Sequence, residues 1–142
     1  MNDENAIAKI DRSKAYMYEE LDGDMNSIFY KIGSVGLFTA ATCIGYYFKN
    51  RTPLPANNER QDIFQTSTLG GSSASSIWIW KSIAMTQEGI DALRSLREVV
   101  KICQEFANYG IDYMYDIHKK SQNETRDYAD LMYDILEELI EN

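Results

Sequence analysis

The sequence predicts a compact all-α domain, a single bundle of four to five helices. Three observations carry that expectation. Apolar residues recur three and four apart from Leu96 through Val99, Val100, Cys103, Phe106, Ala107, Gly110 and Met114 to Ile117. An uncharged run, Ile32 to Phe48, lies between Lys31 and Lys49, and no segment sustains the alternation of a half-buried strand. At 142 residues, 44% of them apolar and 25% charged, the chain has the size and composition of one domain, 1–142.

Element by element, Ala6 to Leu21 reads as a weak helix inside a weakly ordered segment, 1–25, with Ile7, Ile10, Tyr16 and either Met17 or Tyr18 able to share a face. Leu21-Asp22-Gly23-Asp24 reads as a turn, and Asn26 or Ser27 can cap a short apolar turn holding Ile28 and Phe29. A central apolar helix is expected from Ser34 to about Asn50, where Gly36, Ala40, Ala41 and Gly45 permit close approach of neighbours. The run is slightly too short and too rich in Gly, Ser and Thr to favour a bilayer span, so burial within the protein is expected, with no membrane partner.

Pro53 and Pro55 then forbid helix and imply a loop through 50–58, with Asp62-Ile63-Phe64 a short extended piece. Thr66 to Ser76, almost wholly Gly, Ser, Thr and Ala, has linker composition, and its serines can cap the next helix, about Ser75 to Thr86. Trp78 and Trp80 cannot share a face of that helix, so at least one is expected to lie on a partly exposed side or to reach a partner. A short helix from Ile90 to Leu96, a long one of some twenty residues after it, a break at 121–124 and a terminal amphipathic helix within 124–142 complete the series.

Chemistry is constrained by what is scarce. Twenty-two acids against fourteen bases give a net charge of −8, which disfavours broad sequence-independent DNA binding and leaves only a local basic patch for it. One histidine and two distant cysteines, Cys43 and Cys103, offer neither a disulfide framework nor a zinc knuckle, so no metal is expected and both thiols read as small core hydrophobes. The acidic start, Met1 to Asn5, lacks a secretory pattern, and a cytoplasmic protein is expected.

Tempting motifs fail on spacing. The acids around Gly23 lack the series and the twelfth-position glutamate of a calcium loop. Gly70-Gly71 is not followed by the lysine of a phosphate-binding loop, and no Gly-x-Ser-x-Gly is present. His118, beside Lys119 and Lys120, reads as a helix-end cation before it reads as a general base. Neither catalytic residues nor a cofactor are therefore expected.

Three stretches resemble a known family. They are Val35 to Leu54, including Phe38, Ala40-Ala41, Gly45-Tyr46 and Arg51-Thr52-Pro53-Leu54; Ile83 to Gly89, beginning Ile83-Ala84; and Val100 to Ile111 around Glu105-Phe106-Ala107-Asn108-Tyr109-Gly110. Over roughly 28–118 the chain resembles the small Dnd-system-associated, or DNA phosphorothioation-associated, protein 4 family of prokaryotic defence operons. The resemblance implies an accessory subunit of an antiphage DNA modification-restriction or SMC-like ATPase complex, bridging larger protein subunits, and no catalytic residues. The long Ser/Gly loop, the tryptophan pair and the acidic tail depart from that pattern.

Candidate contact residues follow. Lys49, Arg51 and Arg60, with Thr52, form a basic loop suited to capping the central helix or to meeting phosphate or an acidic partner face. Asn108 needs a partner if it faces inward, such as the backbone around Pro53-Leu54, and Glu105 can anchor Arg51, which together make a structural clamp. The tail from Glu124 holds seven acids and one base. Leu131, Ile135 and Leu139 there can either enter a partner groove, with Glu137 and Glu138 on its rim, or close the domain's own core. An acidic DNA mimic is a further possibility that the charge raises.

Overall fold

The computed structural model describes residues 5–123 and 128–141. The order is β1 (Ile7–Asp11), α1 (Ala15–Gly23), α2 (Gly33–Tyr47), β2 (Arg60–Gln65), α3 (Ser76–Glu88), α4 (Leu96–Asn123) and α5 (Tyr128–Glu141). The chain is mostly helical, as the sequence predicts, but it is not all-α: β1 and β2 pair antiparallel, with Ile7 opposite Gln65 and Asp11 opposite Arg60.

The strand replaces the first half of the expected N-terminal helix. Ala6, Ala8 and Ile10 point into the core, and Ile7 and Lys9 do not. The Ala6 N–H donates to Thr66 Oγ1 at 2.8 Å, and the Ala6 carbonyl accepts from the Thr66 N–H. From Asn5 onward, then, this segment belongs to the core rather than to a loose leader.

The centre of the molecule is α2 lying against α4. Small residues set the separation: a methyl added at Gly45 would collide with the Phe106 carbonyl, and one at Gly110 with the Ala41 carbonyl. The two backbones therefore touch where Gly45 and Gly110 face the opposite helix. Such contact brings many side chains of both helices within dispersion range at once. Around it, Phe38 of α2, Phe64 of β2 and Trp80 of α3 meet with ring centroids 5.3 to 5.6 Å apart.

Helix ends follow local chemistry. The Asp22 carboxylate, one of the turn acids, accepts the Gly33 N–H at 2.7 Å and so caps α2. At the other end Lys49 takes φ of 54°, the Lys49 N–H reaches the Tyr46 carbonyl, and the Asn50 N–H reaches that of Gly45. These are the paired bonds of a left-handed helix stop, made here by a lysine where glycine is usual. Gly89, with φ of 90°, ends α3.

The Ser/Gly segment is not an unstructured linker. It forms 3-10 turns at Thr66–Thr68 and Gly71–Ser75, the second running directly into α3, where Ser75 makes no side-chain cap. α4 is longer than expected and continues through the break foreseen at 121–124 as far as Asn123. Among the described residues no helix is long and apolar enough to cross a membrane.

Candidate interaction surfaces

Burial separates the two tryptophans. Trp80 is 0% exposed and donates its indole N–H to Thr39 Oγ1 at 3.0 Å, so it is a core residue and has no surface to offer a partner. Trp78, two positions away and so on the opposite side of α3, is 70% exposed. Met85, two turns on, is exposed on the same side, Ile79 is exposed about a quarter turn away, and Ile90, 71% exposed, follows just after the helix. The Lys81 ammonium sits 5.2 Å from the centre of the Trp78 ring and covers part of one face.

The expected basic loop does not hold together as one cluster. Arg51 turns inward: its Nε donates to Glu105 Oε1 and its Nη1 to Glu88 Oε2, both at 2.6 Å. Burial works against its charge, but the two carboxylates outweigh that cost and raise its pKa. The guanidinium is thus committed to joining α3 and α4 and is not available to phosphate. Thr52 is engaged similarly, with its N–H on the Glu105 carbonyl at 2.9 Å and its hydroxyl on Asn50 Oδ1. Asn108, buried on α4, donates to the carbonyls of Pro53 at 3.1 Å and Thr52 at 3.3 Å. Glu105 and Asn108 therefore clamp the start of the Pro-containing loop, Arg51 to Pro53, onto α4. Lys49 stays exposed, beside Tyr46, Tyr47 and Arg51. Arg60 lies elsewhere, in β2 opposite Asp11, with its Nε held by the Pro55 carbonyl at 2.7 Å.

The acidic tail forms α5, and α5 lies against its own domain. Ile135 and Leu136 face an apolar groove of about 280 Å³ between α2 and α4, walled by Cys43, Tyr47, Tyr113 and Ile117. Ile135 is half-buried on this groove and Leu136 is 52% exposed beside it. Glu137 and Glu138 are exposed, while the side chains of Leu131 and Leu139 lie outside the described residues. Cys43 opens onto this groove and is exposed, so it is not the core hydrophobe expected; Cys103 is fully buried.

His118 is the feature the sequence underrates. It is 0% exposed, and its Nε2 lies 3.2 Å from both Glu20 Oε2 and Asp24 Oδ2 at the end of α1. Lys119 Nζ pairs with the same Glu20 oxygen at 2.6 Å, Tyr115 donates to Glu20 Oε1, and Gln122 donates to Asp24 Oδ2 at 2.8 Å. The Glu20 pKa is lowered first by the Lys119 hydrogen bond, and that of Asp24 first by the Asn26 backbone N–H, with His118 adding to both. One imidazole and two carboxylates could in principle hold a metal ion. The Lys119 ammonium already supplies the positive charge there, however, and the arrangement acts as an electrostatic lock of α1 onto α4. The expectation that His118 simply caps a helix end missed this. The signal available was the pair of acids at the end of α1, Glu20 in its last turn and Asp24 at its C-cap, which one buried imidazole can meet together.

Compared with known protein families, curated proteins and solved structures, the chain matches none.

Proposed function

We propose that this protein is a non-catalytic accessory subunit that binds a larger protein through the outer face of α3. The observation that carries this reading is Trp78, 70% exposed, with Ile79, Met85 and Ile90 exposed nearby. Aromatic residues with apolar neighbours are the usual anchors of protein interfaces, and such a patch carries a solvation cost in a free monomer. The partner surface that fits is an apolar pocket wide enough for an indole. Charge elsewhere, including Glu137 and Glu138, would orient the encounter more than it would strengthen it. The setting we propose, a prokaryotic DNA-directed antiphage defence complex, rests on the sequence resemblance over 28–118. The alternative of a DNA-contacting loop built from Lys49, Arg51 and Arg60 has less support, since Arg51 is held by two glutamates and Arg60 faces another part of the molecule.

The test is co-purification of the tagged protein with the products of adjacent genes. Trp78→Ala should abolish capture while leaving the melting temperature unchanged; capture that survives the substitution removes the reading.

A further inference from the structure

A second surface stands apart from α3. Between β1 and the first turns of α4 runs a groove of about 440 Å³, lined by Lys9, Arg60, Arg97 and Lys101 around buried Gln104 and Val100. Two bonds span it: the Lys9 N–H donates to Gln104 Oε1 at 2.8 Å, which fastens the strand to the helix, and Arg97 Nε donates to the Asn5 carbonyl at 3.4 Å, a long bond at an exposed position. Arg60 is steadied by the Pro55 carbonyl, and its own carbonyl accepts from Arg12 Nη2 at 2.9 Å, which brings a fifth cation to the same end. Lys9 pairs with Asp62 at 2.5 Å, but Asp62 is well exposed, so water and salt weaken the pair. Arg97 and Lys101 are one helical turn apart, about 6 Å along α4, a like-charge spacing that is unfavourable on a helix by itself. In a chain of net charge −8, five of the fourteen basic residues are gathered here.

We infer that this groove binds the phosphodiester backbone of a nucleic acid. Two arginines and two lysines on facing walls suit successive phosphate groups. Among the described residues no aromatic side chain lines the groove, so bases find nothing there to stack on and the contact is independent of sequence. An acidic peptide fits less well. Adding a strand to β1 requires its outward N–H groups, and that of Lys9 is already bonded to Gln104. The acidity of the rest of the chain is not an obstacle at physiological salt. The part of α4 that meets α5 begins near Tyr113, about 18 Å along the helix from Lys101, which is about two screening lengths.

The experiment is fluorescence anisotropy of the full chain with a labelled 20-base-pair duplex of arbitrary sequence, between 50 and 200 mM salt. Arg97→Glu with Lys101→Glu changes exposed positions only, and circular dichroism verifies the fold. Binding should weaken at least tenfold, and the slope of log affinity against log salt should fall by about 2. Lys31→Glu with Lys120→Glu, an equal change of net charge away from the groove, should retain affinity within about threefold. The inference is overturned by an absence of binding at 50 mM salt, by equal loss in the two double variants, or by polyglutamate competing as well as unlabelled duplex.

Discussion

Trp80 Nε1 donates to Thr39 Oγ1 at 3.0 Å, and the same hydroxyl donates to the Val35 carbonyl one turn back at 2.8 Å. Both polar groups of this apolar junction are satisfied by one threonine. Thr39→Val keeps the shape and removes the acceptor, which leaves an indole N–H buried without a partner. Urea unfolding should show a loss of about 1–3 kcal/mol, with Thr39→Ser close to the parent. No loss in the valine variant would mean that the indole finds another acceptor.

Tyr18 presents the opposite situation. Its hydroxyl is buried with no hydrogen-bond partner among the described residues, and burial raises its pKa. An unpaired buried hydroxyl costs stability, so Tyr18→Phe should leave the protein as stable as the parent or stabilise it by about 1 kcal/mol. A clear fall in melting temperature would reveal a bond that this reading lacks.

The lock at His118 should govern the acid limb of stability. Glu20 and Asp24 have folded pKa values below their ordinary 4.5 and 3.8, so their contribution is complete above those values. It is lost as pH falls through the lower, folded ones. The urea midpoint of the parent should therefore drop below about pH 4. The Glu20→Gln, Asp24→Asn double variant should start lower at pH 7 and show a flatter decline. Parallel curves would assign the acid limb to other carboxylates.

Two thiols in different settings give a direct check on the placement of α2. Cys43 is exposed at the rim of the apolar groove, and partial burial raises its pKa; Cys103 is fully buried and raised further, again by burial. A disulfide reagent should label one thiol per native chain, faster at pH 9 than at pH 7 because the thiolate is the nucleophile, and two in denaturant. Cys43→Ser should abolish native labelling.

How far the sequence reveals this structure depends on where each interaction lies along the chain. α4 is legible because a long one-sided helix repeats its apolar residues often enough to stand out. The Asn108 clamp is legible because a polar residue on an apolar face requires a partner, and the Pro-rich loop carries carbonyls with none of a helix's bonds. β1 is hidden for two reasons. Ile7 puts an apolar residue on the outward side of Ala6, Ala8 and Ile10, and the pairing irregularity between Ala8 and Lys9 breaks the matching alternation of β2. The residues paired across the two strands are also 49 to 58 positions apart, beyond any local pattern. Arg60 misleads for a related reason. It is near Arg51 in sequence, but the extended stretch through Pro53 and Pro55 carries it to another face.

The contact of α2 with α4 at Gly45 and Gly110 bears on how this chain's descendants and cousins can be found. Side chains on the surface drift freely over evolutionary time, whereas neither of these positions can gain even one carbon without prising the helices apart. Two absent side chains, 65 positions apart, are thus expected to mark common ancestry more durably than the charges on the chain's surface.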